Sequence, residues 1–464
     1  MEGKLAVDVA VIKTLKNMKL NLIILSLFIV NLTYSQDTIV AYKKRILDKT
    51  EIDLIGSYYT QSGNNAAVTG GIGNEDLFDV ATSIQVSIPL NEDEVLRISG
   101  GISAYTSASS SNLNPFDLGY NKEDNPVNPT GSPWTESSGA SRMDTWKTGL
   151  VSFEHNSDDR TFIWDANISF ASEFDYKSVG FGGGISKAWN EENTSLGLKG
   201  NIFLDAWSPE SPIEIVRYIQ NGGNSTTGFF QNVNILDANG NAVDYNTSNY
   251  WKPINNTLLS TNNRNSYNVS LVFSQILSKR AKFALNLGLI SQNGWLANPM
   301  QRVYFKDIDN YYVGNKEDII NYTNSSNISV FQLADDIERL PSSRIKIPVG
   351  LRLNYYINER FVVKTFLRYY TDNWGVSSQT LQFDLPIKIN QKITLYPTYR
   401  FYSQTKADYF AGYEEHLSSQ EFYTSDYDLS KYNANQFGFG VSYTDIFAKA
   451  HLWKFGLKSI DQAI

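Results

Sequence analysis

The chain has no cysteine in its 464 residues. That excludes disulfide staples, thiolate metal sites and a cysteine nucleophile together. Histidine is almost as scarce, with only His155, His416 and His451, so a hydrolytic relay would have to be built on one of these three. Beyond the N-terminal leader no stretch approaches the ~18 continuous apolar residues that a spanning helix requires. A basic surplus is missing too: the net charge is −8, which argues against a nucleic-acid partner.

Aromatic residues are plentiful by contrast, at 13%, although the mean hydropathy is only −0.31. A barrel with a polar interior and aromatic girdles has this composition, and so does a secreted β-sandwich. Met18-Lys19, the apolar run Leu20 to Val30 and the small residues Thr33 and Ser35 read as a signal peptide over residues 18–35, cut before Gln36. Its apolar run is interrupted by Asn21 and is too short for an anchor. Residues 1–17 precede a complete signal and read as an overcalled start. The first 35 residues hold four Lys against Glu2 and Asp8, a surplus of two, so the remainder stands at −10 against −8 overall.

From Lys49 to Ile460 apolar and polar residues alternate in run after run. Alternation of period two marks strands with two unlike faces. The spacing predicts strands over 49–60, 80–90, 95–106, 144–155, 160–171, 177–189, 194–206, 265–277, 282–292, 344–357, 361–371, 376–388, 392–403, 435–444 and 451–460. Short connectors rich in Asn and Asp alternate with others, several of them long, among them 61–79, 107–143, 207–264, 293–343 and 404–434. Short turns at one end and long loops at the other are the habit of outer-membrane barrels. The expected fold is therefore all-β: a transmembrane antiparallel up-and-down β-barrel with the loops outside and the short turns in the periplasm. Parity calls for about sixteen strands in a complete member, of which about fifteen are visible here. The last expected strand stops on the outer side, so residues 36–464 read as a C-terminally truncated barrel. Phe283, Leu285, Leu287 and Leu289 share one face, as do Tyr267, Val269, Leu271 and Phe273. Pro89, Pro386 and Pro397 fall close to expected turns, whereas Pro348 falls inside a strand and calls for a bulge or a shifted strand boundary.

Several segments carry a resemblance: YKKRILDKTEIDL (42–54), SGNNAAVTGGIG (62–73), DRTFIWDANISFASEFDY (159–176), RLPSSRIKIPVGLRLNYYINERF (339–361), DNWG (372–375) and EEHLSSQEFYTSDYDLSKY (414–432). On these the chain resembles an uncharacterised, porin-like Bacteroidota outer-membrane β-barrel family, a domain of unknown function. The resemblance implies a further C-terminal strand that this chain lacks. It also implies association with a small lipoprotein, a thioredoxin-like protein and a flavin-attaching transferase, hence a place near periplasmic redox traffic.

The main candidate site is basic. On the polar parity of the C-terminal strands lie Arg344, Lys346, Arg352, Lys364, Arg368, Lys388 and Arg400, with Lys454 and Lys458 beyond. Asp384 is the acid expected among them. Such a wall attracts anionic solutes; alternatively it pairs with acids of the opposite wall, where Glu51, Asp53, Asp165 and Asp205 have matching parity. The loop 404–434 carries Asp408, Glu414, Glu415, Glu421, Asp426 and Asp428 among seven aromatics, against Lys406 and Lys431. It suits a hard cation, sugar or protein contact, or a loop folded on itself or over the mouth. His416 lies near Ser418 and Ser419 in sequence, which is no geometry. The glycines of 180–184 lack the Lys-Ser/Thr of a phosphate loop. The expectation is a porin-like channel or transporter of small solutes in the outer membrane of a Gram-negative bacterium, with no catalytic residues, no metal and no cofactor. That channel would be passive, water-filled or partly plugged by 207–264 or 293–343; its alternative is a non-conducting barrel that anchors or houses a periplasmic or surface partner.

Overall fold

The computed structural model describes residues 45–73, 75–106, 144–208, 211–224, 226, 230, 233–244, 250–255, 262–322 and 330–444. The expected signal peptide, the stretch before it and the expected strand 451–460, with Lys454 and Lys458, lie outside the described residues.

In chain order the strands begin with β1 (Glu51–Gln61), β2 (Leu77–Pro89), β3 (Glu94–Tyr105), β4 (Asp144–Asn156), β5 (Phe162–Ser172), β6 (Tyr176–Trp189) and β7 (Thr194–Trp207). A long connector then carries the helix α1 (Ile213–Gln220) and β8 (Ile235–Asp237). The hairpin β9 (Asn262–Ser278) and β10 (Ala281–Gly294) follows. The next connector holds four short strands: β11 (Arg302–Val303), β12 (Tyr311–Gly314), β13 (Val330–Gln332) and β14 (Asp336–Ile337). Last come β15 (Ser343–Tyr356), β16 (Val362–Asp372), β17 (Ser377–Asp384), β18 (Ile387–Lys388), β19 (Ile393–Gln404) and β20 (Tyr432–Tyr443).

Fifteen of these form one antiparallel sheet in which chain neighbours pair, an up-and-down arrangement with β1 and β20 at its edges. No pairing joins those edges among the described residues, so the barrel is open there. The sheet nevertheless curls. The β1–β2 connector packs on the β19–β20 connector: a Cβ on Gly71 would come within 2.7 Å of the Ser425 carbonyl and 2.9 Å of the Tyr427 ring. Connectors from opposite edges can meet only if the sheet bends round.

Register assigns the faces. Leu271 pairs with Leu287, and Leu287 with Val349; on the other side Val272 pairs with Asn286, and Asn286 with Gly350. The apolar parity is exposed or half-buried, with Leu54 at 74% and Phe439 at 70%. The polar parity turns inward: Asp205, Ser378, Thr380 and Gln404 are buried, and Gln404 Nε2 donates to the Asp428 and Ser430 carbonyls of the loops. Four outer positions carry a charged side chain, Glu94, Lys147, Lys177 and Lys187, all within four residues of a strand end.

Two prolines behave differently from expectation. Pro348 makes no bulge. The β10–β15 ladder omits Gly288–Pro348 and Leu289–Ile347 and resumes in the same register, as a residue without an N–H requires. Gly288 makes room for it, because a Cβ there would stand 2.8 Å from Pro348 Cγ. Pro386 divides the expected strand 376–388 into β17 and the two-residue β18.

Candidate functional site

The inner face sorts its charges by wall. On β1–β7 it presents Glu51, Asp53, Asp79, Asp144, Glu154, Asp165 and Asp205 against Arg97 and Lys199. On β9–β20 it presents Arg264, Lys282, Arg344, Lys346, Arg352, Lys364, Arg368, Lys388 and Arg400 against Asp372 and Asp384. One wall is thus mostly acidic and the other mostly basic. All seven cations singled out from the sequence lie on this inner side, Lys388 through its pairing with Thr394.

Their surroundings differ. Arg344 is neutralised: its Nε donates to Asp372 Oδ2 at 2.8 Å and its guanidinium stacks 4.3 Å from the Trp374 ring centroid. Asp372 is a second acid on this wall, outside the strand bounds expected from sequence, and Lys346 sits opposite it in the ladder. Arg352 lies over Phe366 at 5.2 Å and Arg368 over Tyr370 at 5.9 Å. Among the described residues, Arg352, Lys364, Arg368, Lys388 and Arg400 form no ion pair. Two acids of the other wall are engaged locally, Glu154 with Arg97 at 2.7 Å and Asp165 with Lys199 at 3.6 Å, and Asp205 stands opposite Arg264 in the ladder. Cross-wall pairing with Glu51, Asp53, Asp165 or Asp205 is absent from the described ion pairs.

At the long-loop end the connectors fold into one layer. α1, β8, β12 and β13 gather Tyr218, Phe230, Ile235, Trp251, Tyr311 and Leu333 into an apolar core. A buried ion pair ties three connectors together. Arg302 Nε and Nη2 donate to Glu214 at 2.7 and 3.1 Å, and Nη1 donates to the Val68 carbonyl at 3.1 Å. Burial works against the Arg302 charge, but the Glu214 carboxylate outweighs it and holds the guanidinium more basic than usual. Nearby, Arg339 and the Tyr423 hydroxyl both bind the Asp336 carboxylate. Two further carboxyls are buried and form none of the described ion pairs. Asp335 accepts from the Phe305 N–H and is pushed up to about 7 by burial, then by Glu414, Asp336 and Asp307. Glu338 accepts from the Asn298 N–H and is pushed up to about 8 by burial and Asp426.

The acidic loop proves to be part of this layer. Glu414 accepts from Asn310, Glu415 from the Gly412 N–H, and Asp426 from Gln301 and the Asp428 N–H. The Asp408 carboxylate lies against Gly375, where a Cβ would come within 2.4 Å, while Glu421 remains exposed. The six carboxylates are spread over turns and bridges. No group of three or more His, Cys, Asp or Glu is placed to hold a metal among the described residues. His416 is 1% exposed; its Nε2 meets the Thr424 carbonyl at 2.9 Å and its Nδ1 meets Gln420 at 3.2 Å. Ser418 instead donates to Asp307, so no Ser–His relay forms.

The residues that build the layer, Glu214, Arg302, Asp335, Asp336 and Glu338, were not singled out in the sequence. The one available signal was charge set among apolar residues in Leu333-Ala334-Asp335-Asp336-Ile337-Glu338.

Comparison with known proteins places a family described as protein of unknown function (DUF3570) on residues 21–463. No curated protein matches. Solved structures with detectable likeness include a mutant ferric enterobactin receptor (PfeA) from Pseudomonas aeruginosa, 10% identical, covering 87% of this chain and 52% of that one, with a TM-score of 0.38. The siderophore receptor PirA from Acinetobacter baumannii gives the same identity, coverages and score. A mutant of TodX, a monoaromatic hydrocarbon channel, is 8% identical, covers 86% of this chain and 90% of that one, and scores 0.35. The chain spans about half the length of the receptors it matches first.

Proposed function

The chain belongs to the DUF3570 family of proteins of unknown function, and from that premise we propose an outer-membrane β-barrel that passes small anionic solutes through a water-filled interior capped by its own loops. The observation that carries the reading is the division of the sheet into two faces. Every strand from β1 to β20 that belongs to the sheet turns an apolar row outward, and charges on that side stand near strand ends. A soluble protein does not leave so large an apolar surface in water. A bilayer explains it, since neighbouring strands of the sheet satisfy one another's backbone groups there. The inner face is polar and carries a basic wall, which raises the local concentration of anions. The loop layer restricts one mouth, so the passage differs from an open sieve. The reading assigns the chain no catalytic step.

The test is a reversal-potential measurement on protein in planar bilayers under a KCl gradient. Anion preference that falls when Arg352, Arg368 and Arg400 are changed to Gln supports the reading. Cation preference, or no conductance in protein whose loop layer has been loosened, refutes it.

A further inference from the structure

The basic wall contains a formed hollow. Its floor is Gly350, which pairs with Asn286 on β10 and with Arg368 on β16. Beside it Arg352 pairs with Ala284 and Phe366. The missing side chain at Gly350 and the small one at Ala284 leave a cavity of about 410 Å³, within the size range of small-molecule sites. Phe366 leans over the floor, and a Cβ on Gly350 would meet its ring at 3.3 Å. Val272 and Pro348 complete an apolar lining.

Two guanidinium groups stand at the rim. Arg352 and Arg368 are diagonal neighbours across the ladder, about 7 Å apart at Cβ. Each lies over an aromatic ring, which fixes a planar donor fork without neutralising it. The acids that could neutralise them are engaged elsewhere. Asp372 holds Arg344 and accepts from the Tyr370 hydroxyl at 2.7 Å. Asp384 accepts from Gln382 and from Thr398 at 2.9 Å. A guanidinium pair above an apolar hollow, with an amide at Asn286, suits one kind of solute.

We infer that the hollow around Gly350 binds a small organic anion, with one carboxylate or phosphate group between Arg352 and Arg368 and a compact apolar body against Phe366, Pro348 and Ala284. The inference rests on the reading of the inner face as an aqueous passage and adds a discrete binding step to it. Two guanidinium forks can each supply paired N–H donors to such an oxyanion, and Phe366 supplies a flat apolar contact.

Calorimetry on the purified full chain in detergent tests it with four probes: benzoate, phenyl phosphate, inorganic phosphate and benzyl alcohol. At least one of the two aromatic anions should bind about tenfold or more tightly than inorganic phosphate and benzyl alcohol. The relative strength of benzoate and phenyl phosphate identifies the head group. Arg352→Gln and Arg368→Gln should each weaken that binding about tenfold, Ala284→Leu should abolish it by filling the hollow, and Arg400→Gln should leave it unchanged. Heat-modifiable gel migration verifies that each variant folds. Equal weakening by Arg400→Gln, inorganic phosphate as tight as phenyl phosphate, or no binding of either aromatic anion overturns the inference. Anion-selective conductance without aromatic-anion binding sinks the subsite and leaves the channel standing, whereas cation selectivity sinks the channel reading whatever the calorimetry gives.

Discussion

Arg302→Ala is the sharpest perturbation of the loop layer. Arg302 is 2% exposed and its partner Glu214 1%. The side chain joins the β10–β15 connector to α1 through Glu214 and to the β1–β2 connector through Val68. Truncation leaves the Glu214 carboxylate buried without a cation, which costs about 3–5 kcal/mol. The Val68 carbonyl also loses a donor, for about another 1 kcal/mol. The sheet ladders do not depend on this pair, so the loss falls on the layer alone as local opening. A change of about 4 kcal/mol raises the open population about a thousandfold. Hydrogen exchange on protein in detergent micelles would read this directly. The amides of Phe305, Leu333 and Asp335, bonded within the layer, should exchange about a thousandfold faster, with β15 and β16 unchanged. The double variant Arg302→Met with Glu214→Leu should recover most of the protection, because it removes the stranded charge. Unchanged exchange in Arg302→Ala, or equal damage in the double variant, would refute the assignment of the pair as the layer's clamp.

The same layer should loosen as pH rises. The folded Asp335 and Glu338 hold protons more tightly than their ordinary values of 3.8 and 4.5, so their stabilisation is complete below about pH 4 and is lost on the way to about pH 7 and 8, Asp335 alone contributing at most about 4 kcal/mol. Protection factors of the amides in residues 296–305 and 333–338, taken relative to the base-catalysed exchange of an open chain, should fall between pH 5 and 8 in the native chain and respond less in Glu338→Gln; a flat protection profile would contradict this. On the outer face, Leu287→Arg should cost about 2–4 kcal/mol of folding into lipid vesicles, whereas Ser270→Arg on the inner face should cost little; equal penalties by urea titration would mean the faces are wrongly assigned. His416→Ala should cost about 1–3 kcal/mol of layer stability by removing a buried ring and one of the two donors to the Thr424 carbonyl, the Ala411 N–H being the other, measured as increased protease sensitivity within 404–431, with the sheet's denaturation midpoint unmoved.

The sheet was legible because its signal is repeated in every strand. Expected bounds such as 194–206 and 282–292 differ from β7 and β10 by no more than two residues, since a long alternating run ends where a turn former appears. Alternation also placed Arg344 through Arg400 on one side, because parity survives small errors in strand ends. It failed at Asp372, one residue past the expected strand, and at Pro386, where an absent N–H outweighs the pattern on either side. The layer was illegible for a different reason. Strands of two to four residues, such as β11 and β14, are too short to show any period. Charged residues such as Glu214, Asp336 and Glu338 read as surface, and only partners from other connectors make their burial tolerable. For Glu414 and Asp426 a folded loop was among the readings, but the sequence does not reveal that Asn310 and Gln301 are the residues that meet them.

The charges of the inner face also limit how the interior can be filled. Taking one charge into a dry protein interior costs several kcal/mol after relaxation. Arg352, Lys364, Arg368, Lys388 and Arg400 lack a carboxylate partner among the described residues, so drying all five would cost about 15 kcal/mol or more. That equals or exceeds the whole net stability of an ordinary domain, about 5–15 kcal/mol. Hydration is the affordable alternative, and Arg352, Lys364, Arg368 and Lys388 are indeed exposed. The loop layer can therefore cover one end, where it buries Thr380 and Gln404, but it cannot extend down the basic wall without bringing acids to meet it. Among the described residues, Glu214 and Asp336 of that layer already hold Arg302 and Arg339, and Asp426 caps a turn of its own. On the reading proposed above, water and mobile anions occupy the space beside that wall.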